Sequence, residues 1–190
     1  MTQCRVLLLP GWLDSDAAHW QSRWEAVLGW RRVTQSDWLW PRRGDWMARL
    51  EEVLLESEAP AVLVAHSLGC HLVAAWAAHS QHTARVRGAL LVAPPDVERD
   101  DLPPNLHAWR PVLRRPLPFP AIAVTSDDDP YSGAERSARL VREWGARQIG
   151  LGTAGHINGE SGLGEWAAGQ AWVSELATVR AMRPISRPTP

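Results

Sequence analysis

The run Ala61-Val62-Leu63-Val64-Ala65-His66-Ser67-Leu68-Gly69 constrains this chain more than any other: an apolar stretch with strand propensity ends at a serine, and a helical pattern begins at once behind it. A strand that turns so sharply into a helix holds the serine in a strained backbone conformation and lifts its Oγ above the carboxyl edge of a sheet. The residues two before and two after the serine must be small, because strand and helix backbones approach closely there. Ala65 and Gly69 hold those positions, so the stretch departs from the pattern G-x-S-x-G at one place, where alanine stands for the first glycine. The reading that follows is a nucleophilic serine on an α/β scaffold. A plain strand-to-helix turn that happens to contain a serine is the alternative, and the rest of the chain must decide between them.

Short apolar runs rich in Val, Leu and Ile alternate with helical patterns along the whole chain, as expected for βα units that feed a mostly parallel sheet with helices on both faces. Strands are predicted at about 5–9, 32–35, 61–65, 86–93, 121–126 and 147–150, and helices at about 17–28, 45–57, 68–80, 134–144 and 162–178. In the order 2-1-3-4-5-6, the ends of strands one and three flank the switch point where open sheets hold their ligand crevice, and Ser67 would stand there. The segment 94–120 is rich in proline and longer than ordinary connections. It reads either as a cap over the site or as a surface excursion with a short helix at 105–109. With 190 residues and no break in composition, one domain over 1–181 is expected, followed by a disordered tail over 182–190.

Composition excludes several classes. The net charge is −1, and 20 cations and 21 acidic residues are interspersed, which lacks the basic footprint of a nucleic-acid binder. All the cations are arginines; without a lysine, a Schiff base, a Walker lysine and a Ser-Lys dyad are ruled out, so the serine needs a histidine. Cys4 and Cys70 are too few for a disulfide framework, which suits a reducing, cytoplasmic setting. The apolar run 6–9 is cut by Pro10-Gly11, so neither a signal peptide nor a membrane span is expected.

A serine hydroxyl is a weak nucleophile near neutral pH until a base takes its proton, and a carboxylate must orient that base. On this type of scaffold the acid and then the histidine follow the serine at strand carboxyl ends. Ser126-Asp127-Asp128-Asp129-Pro130 follows the fifth predicted strand, and Gly155-His156-Ile157-Asn158 follows the sixth. Of the seven histidines, His156 alone has this placement. Among the aspartates, Asp129 is favoured over Asp128 because Pro130 biases its backbone toward an extended conformation; Asp96, after the fourth strand, is a rival. For the oxyanion, the backbone N–H of Leu68 and that of Trp12 are the candidate donors, with Gly11 letting the loop turn toward Ser67. Gly11, Trp12, Trp40 and Trp109 are candidates for the substrate pocket. Asp16 reads as an N-cap and His19 as the inward face of the first helix. Trp20 and Trp24, one turn apart, read as helix-to-sheet packing. His66, His71, His79 and His82 spread around a helix without carboxylates, so no metal site is expected.

Together with Leu9-Pro10-Gly11, His19-Trp20 and Ala93-Pro94-Pro95-Asp96, these motifs resemble the small α/β-hydrolases of the retinoblastoma-binding-protein-9/YdeN family over about residues 6–172. The resemblance implies a minimal three-layer α/β-hydrolase fold, with Asp129, before the proline, as the acid and His156 as the base. It also implies a serine hydrolase or esterase, with peptidase action for some members. The expected function is thus hydrolysis of a small ester, or an amide, through an acyl-enzyme on Ser67, with no cofactor and a small-molecule substrate. A non-catalytic binding protein on the same scaffold is the alternative, and no protein partner can be named.

Overall fold

Strands at the centre of the sheet are predominantly apolar because both of their faces are covered. The computed structural model describes residues 4–178, so the tail expected at 182–190 lies outside the described residues. In chain order the elements are β1 (Arg5–Leu9), α1 (Trp20–Leu28), β2 (Arg31–Arg32), α2 (Arg43–Leu55), β3 (Ala61–His66), α3 (Leu68–His79), β4 (Val86–Val92), β5 (Ala121–Thr125), α4 (Ala134–Glu143), β6 (Arg147–Gly150) and α5 (Ala167–Thr178). The six strands form one sheet in the order β2-β1-β3-β4-β5-β6, with every pair parallel. All six residues of β3 are buried.

Alternation along the strands divides the core into two layers. Leu7, Leu9, Leu63 and Ala65 face one side, where they meet Trp46 and Leu50 of α2, Leu72 and Val73 of α3, and Leu140 and Val141 of α4. Leu8, Val62 and Val64 face the other side, against Trp20 and Trp24 of α1 and Val173 and Leu176 of α5. Each fully buried leucine or valine contributes about 1.5–3 kcal/mol relative to exposure, so the two helical layers clamp the sheet from both sides. This arrangement is the three-layer order expected from the sequence.

Four elements differ from the expected ranges by two or more residues, three of them for a local reason. β2 covers Arg31–Arg32 rather than 32–35; Val33 still donates to the Leu8 carbonyl, but the Thr34 carbonyl is taken by Arg49 of α2 instead of a strand partner. α1 starts at Trp20 rather than 17, because Asp16 Oδ1 accepts the N–H groups of Ala18 and His19 and forms a separate turn. The N-cap is His19, whose Nδ1 accepts the Gln21 N–H at 3.1 Å. Asp16 therefore caps the preceding turn and not the helix. α2 is displaced two residues toward the amino end. α5 starts at Ala167 rather than 162, since Trp166 has φ 44°, a left-handed conformation that interrupts a helix.

Candidate active site

Ser67 has φ 53° and ψ −124°, a conformation that costs a non-glycine residue of order 1–3 kcal/mol and persists only where its surroundings impose it. Its N–H donates to the Val92 carbonyl at 2.9 Å, fastening the turn to β4. Sterics set the rest. A Cβ on Gly69 would lie 2.3 Å from the Leu9 carbonyl oxygen, and one on Gly11 would lie 2.7 Å from the Ser67 Cβ. Ala65, in contrast, fits its methyl into the core without exposure, which explains why alanine serves where the common pattern has glycine. Leu68 is the first residue of α3, where a backbone N–H has no intrahelical partner. The loop carrying Gly11 and Trp12 leaves β1 beside this turn. It is held by Leu13 N–H on the Trp38 carbonyl, by Trp12 Nε1 on the Leu39 carbonyl (3.1 Å), and by Arg32 on Asp14 (2.5 Å).

His156 comes to Ser67 from the loop after β6. Its Nε2 is 2.9 Å from Ser67 Oγ, and its Nδ1 is 3.0 and 2.9 Å from the two oxygens of Asp129. A carboxylate only accepts, so Nδ1 carries the proton and Nε2 is left to accept from the serine hydroxyl. Asp129 also accepts the Tyr131 N–H at 2.9 Å, which fixes the carboxylate across Pro130. Asp128 and Asp96 are engaged elsewhere. Asp128 Oδ1 accepts from Ser126 Oγ (2.7 Å) and from the Gly155 N–H (2.8 Å); the Ser126 hydroxyl and the Gly155 amide keep its carboxyl below the usual aspartate range. It thereby ties down the loop that bears His156. Asp96 pairs with Arg136 at 3.1 Å.

Residues not singled out as functional in the sequence complete the setting. His66 is buried and bonds through Nε2 to the His156 carbonyl at 2.9 Å. A carbonyl only accepts, so His66 donates there, and burial holds its pKa well below the ordinary value, which keeps the ring neutral. Trp20 Nε1 donates to the carbonyl of Ile157, the next residue, at 2.8 Å. Tyr131 sets its ring edge-on to the His156 imidazole with centroids 4.5 Å apart. The only sequence signal for His66 is that it adjoins Ser67. Trp20 and Tyr131 reach the loop of His156 across 25 or more residues of chain, a distance no local pattern reports.

A cavity of about 400 Å³ opens in front of Ser67. Val97, Leu102, Pro103 and Leu106 supply an apolar wall, so the segment 94–120 does border the site, and its 105–109 helix is a 3₁₀ turn over Pro104–Trp109. Asp14, Asp16, Asp96 and Asp101 lie around the cavity, against one arginine, Arg99, which is paired with Asp101. His19 is buried as expected, but it sits at the cap rather than in the helix body and also lines the cavity, and burial lowers its pKa to about 4. Gly11 and Trp12 line it as expected, but Trp40 and Trp109 do not. Trp40 is 58% exposed. Trp109 is buried against Trp46, with Nε1 on the Pro41 carbonyl, because an indole with an internal acceptor packs in the core rather than in a solvated wall. Cys70 is buried in the first turn of α3, where burial raises its pKa and makes it unreactive. His71 bonds the Pro95 carbonyl, His79 the Ala75 carbonyl and His82 the Glu51 carboxylate, so these rings diverge. Among the described residues no group of three or more potential ligands is placed to hold a metal.

A parallel sheet with Ser67 on the turn after β3 is a minimal α/β-hydrolase fold, and the comparisons with known proteins agree. The chain belongs to the serine hydrolase family, whose sequence profile matches residues 6–175. A search of curated proteins gives no match. Among solved structures, the chain is similar to a proposed YdeN-like hydrolase of Pectobacterium atrosepticum, at 29% identity over 92% of this chain and 91% of that one, with a TM-score of 0.80. It is similar in fold to the ydeN gene product of Bacillus subtilis (18% identity, 93% and 100% covered, TM-score 0.71) and to carboxylesterase CesB of the same organism (17%, 93% and 85%, 0.60). The chain is thus a serine hydrolase on a minimal α/β-hydrolase fold, similar to YdeN-like hydrolases. No helix among the described residues is long and apolar enough to cross a membrane.

Proposed function

We propose that the chain hydrolyses small carboxylic esters through an acyl-enzyme on Ser67, with Asp129 and His156 completing a catalytic triad. The observation that carries this reading is the unbroken series from Ser67 Oγ to His156 Nε2 (2.9 Å) and from Nδ1 to Asp129 (2.9 Å). In the first step His156 takes the hydroxyl proton as Oγ bonds to the ester carbon, and the carbonyl oxygen becomes an oxyanion that the N–H groups of Leu68 and Trp12 receive. The intermediate then expels the alcohol oxygen, which takes its proton from His156 Nε2. Water, deprotonated by His156, attacks the acyl carbon and frees the acid, returning the proton to Ser67. Asp129 holds the imidazole in the required tautomer and stabilises the imidazolium. An amide would use the same groups with a poorer leaving atom.

The apolar wall, beside aspartates of which Asp14, Asp96 and Asp101 are already paired with arginines, favours a neutral substrate. The unpaired cysteines, Cys4 and Cys70, support a reducing compartment such as the cytoplasm. The test is labelling by a fluorophosphonate probe at neutral pH, followed by turnover of a p-nitrophenyl ester series. Labelling of the wild type that is lost in Ser67→Ala and severely slowed in His156→Ala is expected. Asp129→Asn should lower kcat by about 10³–10⁴-fold, and Asp96→Asn should stay near wild type. A folded protein that neither labels nor hydrolyses any ester overturns the reading; an inactive Asp96→Asn beside an active Asp129→Asn overturns the assignment of the acid.

A further inference from the structure

His156 borders a second space besides the cavity in front of Ser67. This cleft of about 370 Å³ is lined by Thr153, Glu160 and Ser161, and it shares His156, Tyr131 and Asn158 with the first cavity. The two differ in chemistry. No leucine, isoleucine, valine or methionine lines the second cleft, whereas aliphatic side chains wall the first.

Acyl transfer assigns the two halves of an ester to different sides of the imidazole. Once Ser67 Oγ has bonded to the acyl carbon, the bond that breaks is the one to the alcohol oxygen, and the proton that oxygen needs comes from His156 Nε2. The acyl half stays bonded to Ser67, beside Val97, Leu102 and Leu106. The alcohol half departs past His156, which also lines the second cleft. Asn158 spans both spaces; its side-chain oxygen already accepts the Glu160 N–H at 3.1 Å, which leaves its NH₂ to donate to a ligand oxygen. Tyr131, half exposed and edge-on to His156 at 4.5 Å, lines both spaces.

We infer that the cleft between Tyr131, Thr153 and Glu160 is the leaving-group subsite, and that it selects esters of hydroxylated alcohols while the first cavity takes the acyl chain. The inference rests on the ester-hydrolase reading above. It is tested with two butyrate esters that pass through one and the same acyl-enzyme: glyceryl butyrate, and propyl butyrate, whose alcohol has the same carbon skeleton without the two extra hydroxyls. The wild type is expected to favour the glyceryl ester in kcat/KM by about tenfold, the size of one or two net hydrogen bonds at an exposed site. Thr153 and Glu160 are both exposed and distant from the core. Thr153→Trp, which fills the cleft, should abolish the preference, and Glu160→Leu, which makes it apolar, should reduce it. In both variants the loss should fall on acylation and not on turnover of the preformed butyryl-enzyme. Equal kcat/KM for the two esters in the wild type, or a preference that Thr153→Trp leaves intact, overturns the subsite and leaves ester hydrolysis standing. Failure to hydrolyse either ester, together with an unlabelled Ser67, removes the hydrolase reading and the subsite with it.

Discussion

The turn at Ser67 and the loop at His156 face one another across 2.9 Å, yet they are held by different forces. The turn is held by exclusion: two glycines with no room for a Cβ, a left-handed serine, and a helix that starts without an intervening residue. The loop is held by polar bonds from separate parts of the chain, with Asp128 on the Gly155 N–H, Ser126 Oγ on the Ala154 N–H, His66 on the His156 carbonyl and Trp20 on the Ile157 carbonyl. Exclusion by close packing has no adjustable part, because the interior is packed near crystal density. A set of hydrogen bonds can be weakened one member at a time and can respond to pH. The difference teaches that Ser67, the proposed nucleophile, is built into the fold, whereas His156, the proposed base, is positioned by it.

The sharpest way to break the comparison is to add one carbon to the turn. Gly69→Ala forces a methyl to within 2.3 Å of the Leu9 carbonyl oxygen, so α3 must move away from β1. A loss of about 3–5 kcal/mol in urea unfolding is expected, the range of severe core lesions. If the variant were within about 1 kcal/mol of the wild type, control by exclusion would be untenable.

The loop should behave differently. Asp128→Ala removes the acceptor of the Gly155 N–H and the Ser126 hydroxyl at an exposed position. We expect kcat to fall about 10- to 100-fold through misplacement of His156, with a small change in stability. Asp128→Asn keeps an acceptor oxygen and should recover much of the rate. A variant that loses stability but keeps kcat would show that Asp128 supports the fold and does not position the base.

The smallest effect sharpens the comparison through pH. His71, under the Pro95 carbonyl, has a pKa that burial lowers to about 4, against 6.5 for the unfolded residue. Between those values the unfolded chain binds a proton that the folded chain refuses. The stability associated with His71 is therefore complete above about pH 6.5 and lost as pH falls toward 4, by up to about 3 kcal/mol. His19 and His66 are depressed in the same direction, so acid should weaken the polar-held regions first. His71→Gln should cost about 1 kcal/mol at pH 7 and flatten the loss between pH 6.5 and 4 by about one proton. An unchanged slope in urea unfolding at pH 7, 5.5 and 4.5 would show that His71 does not carry this response.

The sequence was legible wherever a local pattern determines a local conformation. The run 61–69 encodes a buried strand, a strained serine and the start of a helix within nine residues, and the two-residue alternation of β1 and β3 already assigns side chains to opposite layers. It was less legible at the ends of elements. The carboxylate of Asp16 could cap a helix or a turn, and the competition with His19 is settled by the packing of α1, not by residue type. Trp109 could line a pocket or fill a core; only the carbonyl of Pro41, 68 residues away in sequence, decides that its indole is internal.

By itself, then, the sequence determined the order of strands and helices, the serine at a sheet edge and the later acid and histidine, because these depend on periodicity, steric size and chain order. The tertiary structure brings to His156 the aspartate that Pro130 favoured, and it alone decided which residues hold the loop and which tryptophans are core. Those outcomes depend on distances between atoms remote in sequence, where hydrogen bonds acting over about 3 Å choose among candidates of identical chemistry.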